Sequence, residues 1–464
     1  MPSLITREPG SFRDPSSVVF RKDGVVYRQV NVAAARNYSA LMESGLYSSL
    51  VSQGHLVPHE ETESEPLDQQ TCYKVIKPRQ LPFISYPYEW CFSQYKEAAL
   101  LTLAVQRNAM GYGMSLSDAS AYNVQHLNGR AVFIDTLSFE IIKTGQPWAP
   151  YRQFCQHFLA PLALMARVDI RLSHLMQSYL DGVPLDLASR LLPLWTWLDP
   201  GLLLGIHLHA RWVKRGERAK PHRLASGPPQ FSEAALLQLV DTLRGGVARL
   251  RWRPAGSVWA DYYQETSYTE AAMEQKQRLV ESYLRRVAPR TVWDLGANTG
   301  RFSLLAAAVA EHVVAIDRDE SSIEALYQRC RQEGRANILP LVVDLTAPSP
   351  GLGWENGERA SLVDRGPADM VMALALVHHL AIGSNIPLGH IADFLSRVGR
   401  WLIVEFIPKE DPQVGRMLAH RCDIFDSYSE GQFESEFASR FEILDGCQLG
   451  DSVRKLYLMR RRES

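Results

Sequence analysis

The chain has 464 residues, of which 46% are hydrophobic, so it is long enough for two or three domains with sizeable cores. Its 50 Lys and Arg residues balance 51 Asp and Glu residues, and the formal net charge of -1 provides no field that would attract a polyanion. Nucleic acid is therefore not expected as a partner. The six cysteines form no C-x-x-C pair, which favours reduced thiols in the cytoplasm over a disulfide framework or a zinc site.

Targeting and membrane signals are not evident. The first twenty residues lack the basic and apolar segments of a secretory signal. The most apolar run, residues 191–212, is interrupted by Asp199-Pro200 before it reaches the ~20 apolar residues that a membrane span requires. We therefore expect a cytoplasmic protein without a membrane span, and the run itself predicts two helices joined by a turn. The oligomeric state stays open.

The first half of the chain contains one motif with possible chemistry, in residues 113–140. Asp118 and Asn123 have the spacing D-x-x-x-x-N, and the predicted strand AVFID ends at Asp135. This segment resembles the catalytic loop and the metal-binding segment of protein kinases and aminoglycoside phosphotransferases. The resemblance implies that these residues hold a hydroxyl acceptor and magnesium.

The same half departs from the kinase pattern. Leu116 stands where the catalytic loop has its histidine, Thr136-Leu137 replace Phe-Gly, and residues 1–80 show no glycine-rich loop. Arg28, rather than a lysine, is the cation of the predicted strand GVVYRQV, although Lys74 or Lys77 could substitute. We expect residues 1–213 to form an α+β recognition domain, a degenerate kinase-like fold that binds the acceptor. An active kinase and a chance match in an unrelated fold are the alternatives.

A domain boundary is predicted at residues 214–230, which are basic, poor in apolar residues and rich in Pro and Gly. Such a composition is typical of a solvated linker, with a phosphate-binding patch as the alternative. Residues 231–464 then form the second domain, which begins with two amphipathic helices capped by Ser232 and Thr269. From Thr291 onward strands and helices alternate, and the chain closes with a hairpin. This order predicts a doubly wound, mostly parallel α/β sheet with an antiparallel edge.

The stretch TVWDLGANTG, residues 291–300, is a short apolar strand followed by a glycine-bracketed loop. In a doubly wound sheet this loop contacts the ligand. Gly296 and Gly300 allow the backbone to turn sharply and to approach a ligand closely. Asn298 replaces the second glycine of the dinucleotide fingerprint, which makes room for a pyrophosphate. A ligand without phosphate groups is therefore favoured.

The pattern D-x-G-x-N-x-G resembles motif I of class I S-adenosylmethionine-dependent methyltransferases, and the closing hairpin resembles the antiparallel pair of their seven-stranded sheet. The resemblance covers roughly residues 255–464. It implies S-adenosylmethionine as cofactor, bound by Asp294 and the loop that follows it. It also implies that Asp317, which ends the second strand, binds both ribose hydroxyls, and that Asp344, which ends the third, contacts the adenine amino group. Simple solvation of strand-end acids is the alternative.

The segment ALALVHHLAIGSN, residues 373–385, follows the fourth strand, where the family brings acceptor and sulfonium together. His378 and His379 are candidate general bases because an imidazole with a pKa near neutrality can take the acceptor's proton. His379 is preferred, and the alternative is a helix cap or a wall of the adenine pocket. Glu405, at the end of the fifth strand, is expected on the pocket rim, either orienting a hydroxyl acceptor or merely solvated.

Tyr262, Tyr263 and Tyr268 precede the helix before the motif and are expected to fold over the cofactor as a lid, or else to pack where that helix starts. The Pro-Pro-aromatic motif of the nucleobase-methylating members is absent after the fourth strand, which again argues against DNA. We expect O-methylation of a sugar, a glycan or another small-molecule hydroxyl, with no metal. The alternative is a bifunctional or pseudo-kinase scaffold whose N-terminal domain binds nucleotide and regulates.

Overall fold

The computed structural model describes residues 5–211, 231–254, 268–419 and 422–463. The chain divides into two compact units. The first comprises Met1–Arg253 and the segment Leu352–Arg359, and the second comprises Pro254–Gly351 and Ala360–Ser464. Within the described ranges no helix is both long enough and apolar enough to cross a membrane. The predicted linker at 214–230 lies outside the described residues.

The first unit is α+β, as expected. An antiparallel sheet with the order β1-β2-β3-β5-β4 is formed by Ile5–Arg7, Ser17–Lys22, Val25–Asn31, His59–Thr62 and Cys72–Pro78, numbered β1 to β5 along the chain. Two small antiparallel pairs follow, Met114–Leu116 with Phe139–Ile141 (β6 and β9) and Val124–Leu127 with Arg130–Phe133 (β7 and β8). The helices are Ala35–Glu43, Leu46–Ser52, Phe92–Met110, Tyr151–Phe154, Ala160–Arg167, Leu175–Ser178, Leu185–Leu191, Pro200–Leu202 and Glu233–Arg249, numbered α1 to α9.

Helix α9 belongs to the first unit, although the sequence assigned it to the start of the second domain. Lys96 Nζ donates hydrogen bonds to the carbonyl oxygens of Ala248 and Leu250, both at 2.8 Å, and Arg107 pairs with Asp241 of α9. The amphipathic pattern of α9 predicted that the helix packs on a core but did not indicate on which one. In the apolar run at 191–212, Asp199 separates short helices and caps the second with its carboxylate.

The second unit is an α/β domain built on a seven-stranded sheet. Its strands are Thr291–Leu295, His312–Asp317, Ile338–Val342, Ala368–Ala373, Gly399–Phe406, Phe441–Gln448 and Lys455–Arg461, numbered β10 to β16. Within the described residues the order is β12-β11-β10-β13-β14-β16-β15, with β10 to β14 parallel and β16 antiparallel to both β14 and β15. This confirms the predicted mostly parallel sheet with a terminal hairpin.

Helices connect the strands and end where the sequence favours it. They are Glu270–Val287, Arg301–Ala307, Glu320–Glu333, Leu388–Val398, Pro412–Leu418 and Glu430–Ala438, numbered α10 to α15. Thr269 caps α10 by accepting a hydrogen bond from the amide of Ala272, and Gly334 ends α12 in a left-handed conformation. The central strands read as continuous apolar runs because they are buried on both faces. The carboxyl ends of the parallel strands thereby share one edge of the sheet.

Candidate functional site

A cavity of about 420 Å³ lies in the second unit at the carboxyl ends of β10 to β13. This is the edge at which doubly wound sheets bind their ligands. Seven of the residues selected from the sequence line the cavity, namely Tyr268, Asp294, Gly296, Asn298, Asp317, Asp344 and His379. Gly300, His378 and Glu405 are not among its lining residues, and Tyr263, like Tyr262, lies outside the described residues.

The loop after β10 is turned by three left-handed residues, Gly296 (φ +80°), Asn298 (φ +50°) and Gly300 (φ +79°). The amide groups of Gly296 and Ala297 donate to the carbonyl oxygen of Ile316 at 2.8 and 2.9 Å, which fixes the loop against β11. The two glycines differ in role. A Cβ on Gly300 would lie 2.3 Å from Leu326, so this glycine permits packing against α12 rather than contact with a ligand. Gly296 faces the cavity.

Asp294 lies next to the last residue of β10, inside the protein. It is 2% exposed, and its Oδ2 accepts a hydrogen bond from Ser303 Oγ at 2.6 Å. Burial raises the pKa of this carboxyl to about 6, and the nearby Asp317 adds to the effect. A buried carboxylate with a raised pKa binds a cationic ligand group well, because the cation offsets the free-energy cost of burying the negative charge.

Asp317 is the last residue of β11, and Asp344 lies in the segment that follows β12. Asp317 accepts hydrogen bonds from the amides of Asn298 at 2.8 Å and Asp319 at 2.9 Å, one on each carboxylate oxygen. The amide of Arg318 also interacts with this carboxylate, and the remaining acceptor capacity can serve a donor such as a ribose hydroxyl. Both described hydrogen bonds of Asp344, from the amide and hydroxyl of Thr346, use Oδ1, which leaves Oδ2 for a ligand. Burial raises the pKa of Asp317.

The two histidines are placed differently. His379 lines the cavity and is half-buried, whereas His378 is 1% exposed, and neither of its ring nitrogens has a hydrogen-bond partner in the described residues. Burial, with the charges of Arg318 and Arg454, lowers the pKa of His379 to about 4. The expectation of a near-neutral pKa is thereby corrected, because desolvation and two cations both oppose protonation. His379 is a neutral imidazole throughout the physiological range.

The expected position of Glu405 on the pocket rim is wrong, because its side chain is fully buried. Its carboxylate accepts hydrogen bonds from Lys276 Nζ at 2.7 Å, from the amide of Ala375 at 2.9 Å and from the hydroxyl of Tyr268. Burial opposes its ionisation, but the charges of Lys276 and Arg454 hold the pKa of Glu405 below its ordinary value. The strand-end position predicted exposure, whereas the hairpin strand β16 and the side chain of Lys276 cover this strand end.

Sequence reasoning missed the cations around Glu405. Lys276 is 2% exposed and lines the cavity, and Arg454 is 1% exposed and pairs with Asp411 at 2.7 and 3.1 Å. The ring of Tyr268 contacts both cations, with its centroid 4.8 Å from Lys276 Nζ and 4.1 Å from the Arg454 guanidinium carbon. Tyr268 thus lines the cavity and belongs to a buried charge network, in which its hydroxyl donates to Glu405 and its ring contacts two cations. A lysine on the apolar face of α10, in register with Met273 and Val280, was the available signal.

In the first unit, the structure brings together the residues with kinase-like spacing. Asp135 pairs with Arg28 of β3 and also accepts hydrogen bonds from the amide of Leu137 at 2.9 Å and the hydroxyl of Ser138 at 2.7 Å. Although burial opposes it, the Arg28 charge holds the pKa of Asp135 below its ordinary value. Burial raises the pKa of Asp118, which lies near Asp135. The guanidinium of Arg28 therefore neutralises the Asp135 carboxylate.

Several known proteins are similar to this chain. The family model "Tellurite resistance protein TehB" matches residues 259–349. The nodulation protein NoeA of Rhizobium meliloti (strain 1021) is 36% identical over 467 residues, which cover 98% of this chain and 96% of NoeA.

Solved structures match less than half of the chain. The N-methyltransferase NodS from Bradyrhizobium japonicum WM9 is 12% identical with a TM-score of 0.32, covering 42% of this chain and 98% of NodS. Monomeric WbdD is 19% identical with a TM-score of 0.30, covering 43% of each chain. The magnesium protoporphyrin IX methyltransferase ChlM from Synechocystis PCC 6803, with bound S-adenosylhomocysteine, is 16% identical with a TM-score of 0.31, covering 44% of this chain and 93% of ChlM.

The strand order of the second unit, the acids that line its cavity and the TehB match make this unit an S-adenosylmethionine-dependent methyltransferase domain. The similarity to NoeA extends over both units. With 36% identity across 98% of its length, the chain belongs to the family of the nodulation protein NoeA.

Proposed function

We propose that the chain methylates a hydroxyl group of a sugar, a glycan or another small molecule. The observation that carries this proposal is the convergence of cofactor-binding groups and one neutral histidine on a single cavity. S-adenosylmethionine, when bound, supplies a methyl group activated by a sulfonium. The chain's own residues then have to hold the cofactor, align the acceptor oxygen and receive its proton.

The cavity residues fit the cofactor in their chemistry. Asp317 keeps part of its acceptor capacity for the ribose hydroxyls, and Oδ2 of Asp344 accepts no hydrogen bond from the described residues and can take the adenine amino group. Gly296 lines the cavity at φ +80°, a conformation that an L side chain rarely adopts, so the backbone itself forms that part of the wall. In this proposal Asn298 holds the loop, and Gly300 supports it by packing.

His379 is the residue proposed to receive the acceptor's proton. Its imidazole is neutral above a pKa of about 4, so it can accept a hydrogen bond from a hydroxyl without first losing a proton of its own. A hydroxyl oxygen becomes strongly acidic only as it bonds to the methyl carbon. A base with a low pKa therefore suffices, provided that it is aligned with that hydroxyl. His378, buried outside the cavity lining, is in this proposal a packing residue.

We further propose that the first unit, centred on residues 1–213, is a recognition module for the acceptor. The Arg28–Asp135 pair and the two further donors on Asp135 favour this role over phosphoryl transfer, because Arg28 already neutralises the carboxylate that would hold magnesium. Regulation through a bound nucleotide is the competing role. Magnesium-dependent ATP binding separates the two.

The cofactor assignment is tested with Asp317→Ala and S-adenosylhomocysteine in a calorimeter. Loss of hydrogen bonds to a charged group should cost about 1.5–3 kcal/mol, a decrease in affinity of roughly 10- to 150-fold. Glu333→Ala, at the exposed end of the following helix, is the matched control. Equal affinities of Asp317→Ala and wild type would contradict the assignment. Methyl transfer to a panel of glycans and simple sugars then tests the acceptor class.

A further inference from the structure

The first unit carries a group of exposed apolar side chains within residues 191–198, referred to below as the 191–198 patch. Its members are Leu191, Leu194, Trp195 and Leu198, and each of the last two aliphatic residues, Leu194 and Leu198, is 85% exposed. Their spacing of i, i+3, i+4 and i+7 is typical of the buried face of a helix, but here all four side chains face solvent. Single exposed apolar residues are ordinary, whereas a group of this kind marks an interaction surface.

The patch lies on an anchored turn. Leu194–Leu198 forms one 3-10 helix, and Thr196 at its centre is fully buried. The Thr196 hydroxyl donates a hydrogen bond to the carbonyl oxygen of Pro193 at 2.6 Å, so its oxygen accepts from Nε2 of the buried His207 at 2.9 Å. The His207 ring also stacks on Trp197, with 4.4 Å between the ring centroids. These contacts hold the turn in place, so the exposure of its leucines is built into the structure.

Two arginines flank the turn. The guanidinium carbon of Arg167 lies 5.1 Å from the ring centroid of Trp195, and that of Arg211 lies 4.3 Å from the ring centroid of Trp197. Neither arginine forms an ion pair within the described parts of the chain. An arginine stacked on an aromatic ring keeps its N–H donors free at the edge of the guanidinium plane, where they can bind an anion.

The acids near the patch do not cancel these charges. Those nearest in sequence to the turn and to Arg167 are paired with other arginines, Asp169 with Arg171 at 2.6 Å, Asp186 with Arg190 at 3.3 Å and Asp199 with Arg249 at 2.9 Å. The apolar side chains are therefore bordered by two cations whose charge is not balanced by these acids. Such a surface complements a partner that is apolar inside and anionic at its surface.

A bilayer fits this surface better than a second copy of the chain. A stable dimer buries roughly 20–30 residues on each side, whereas the patch offers four apolar side chains on one turn. In a two-fold contact the same surface faces itself, so Arg167 and Arg211 would face arginines of the other copy. A bilayer, in contrast, receives a small apolar turn, with tryptophan at its interface and arginines against anionic headgroups.

We propose that the 191–198 patch docks the protein on the surface of an anionic phospholipid bilayer. Leu194 and Leu198 insert among the acyl chains, and Trp195 lies at the level of the headgroups. The two flanking arginines bind lipid phosphates. Docking of this kind lies on the bilayer and does not span it. It does not depend on the proposed methyl transfer, so either proposal can fail without the other.

Cosedimentation of the full chain with vesicles tests this docking. Wild-type protein should bind vesicles of phosphatidylcholine mixed with phosphatidylglycerol, and more weakly those of phosphatidylcholine alone, by about fivefold for each arginine that contacts the headgroups. Raising the salt from about 0.1 M to 1 M should remove this preference. Leu194→Ser with Leu198→Ser should weaken binding to both kinds of vesicle by at least roughly tenfold, because the variant loses the burial of two leucines.

A matched control and a second measurement separate insertion from a general loss of binding. Val32→Ser with Ile424→Ser replaces two aliphatic residues outside the patch that are 61% and 68% exposed, and it should leave binding unchanged. Both double variants change exposed residues, so their thermal unfolding should match that of the wild type. Brominated lipids should quench part of the tryptophan fluorescence, and Trp195→Phe should lose that part.

Three results would overturn the proposal. The first is a wild-type protein that stays in the supernatant with phosphatidylglycerol vesicles. The second is an equal affinity of the wild type and the variant with Leu194→Ser and Leu198→Ser, or an equal loss in both double variants. The third is wild-type protein that self-associates without vesicles and becomes monomeric in the leucine variant, which would assign the patch to a second copy of the chain.

Discussion

Replacing Glu405 with Gln separates a structural role, in which Glu405 pairs with the buried Lys276, from the acceptor-orienting role expected from the sequence. The substitution preserves side-chain size and one acceptor oxygen but removes the negative charge. Lys276 is then left in the interior with no anion in contact, since Glu405 is its only ion-pair partner in the described residues. The nearby Arg454, which pairs with Asp411, adds a second positive charge. We therefore expect Glu405→Gln to lower the free energy of unfolding, and to lower activity only because less of the protein is folded.

The magnitude follows from the burial of the pair. Lys276 and Glu405 side chains are 3% and 0% exposed, so solvent screens their interaction little. Breaking such a pair by removing one partner costs about 3–5 kcal/mol, because the remaining charge stays buried. The second unit has about 200 residues, and a domain of that size loses roughly 2–4 °C of Tm per kcal/mol. The expected decrease is therefore roughly 6–20 °C.

Urea denaturation and calorimetry of the full chain measure this effect. Glu442→Gln is the matched control, because Glu442 pairs with Arg460 on the neighbouring hairpin at half-exposed positions. Exposed pairs contribute about 0–1 kcal/mol. Lys276→Met combined with Glu405→Gln should recover part of the stability, since no unpaired charge remains. A Glu405→Gln variant of wild-type stability with a strongly reduced kcat would refute the structural role and support contact with the acceptor.

Three further predictions concern single residues. His379→Gln should lower kcat by about 10²- to 10⁴-fold with cofactor affinity retained. The wild-type rate should stay flat between roughly pH 5 and 8, because the pKa of His379 is about 4. Normal turnover by the His379→Gln variant would mean that the protein catalyses the reaction by aligning the acceptor alone. Asp294→Asn should stabilise the unliganded protein by up to about 3 kcal/mol above pH 6 in urea denaturation. The pKa of Asp294 is about 6 in the folded protein against an ordinary value of 3.8, so the stability of the wild type falls as the pH rises from 3.8 to about 6 and stays lower above that range. An Asp294→Asn variant that is less stable than the wild type at neutral pH would contradict this. Wild-type protein should show no magnesium-dependent thermal shift with ATP, because Arg28 occupies Asp135; a shift that disappears in Asp135→Ala would establish the nucleotide-binding alternative.

The alternating pattern after Thr291 allowed the sheet to be predicted almost completely. The alternation of strands and helices, the mostly parallel order and the antiparallel closing hairpin are all present. Helices α14 and α15 were not predicted. They are short, and sequences such as EGQFESEFA carry only two buried aromatic residues in nine positions, so their periodicity is weak. They pack on elements elsewhere in the unit, α14 on the helical turn His379–Gly383 and α15 on α13 and β15, and this packing is not visible in their own sequences.

The site was predictable where a residue's role is set locally. A glycine loop after a strand and acids at successive strand ends identify Asp294, Gly296 and Asp317 from a few neighbouring residues each. Lys276 was not identified because its partner Glu405 is 129 residues away, and Arg454 was not identified because Asp411 is 43 residues away. A charge on an apolar helix face signals that a partner exists but does not say which one it is.

The cavity concentrates features that the fold alone would not favour. Asp294 is buried and Asp317 partly buried, both with raised pKa values, Gly296 lines the cavity in a left-handed conformation, and two of the three donors of the buried Lys276 are used within the described residues. Each costs stability in the unliganded protein. A single ligand with an amino-acid zwitterion at one end and ribose hydroxyls at the other would satisfy these polar groups together. Without such a ligand, each of these features would need its own structural explanation. Their shared location therefore supports the cofactor site more strongly than any one residue does.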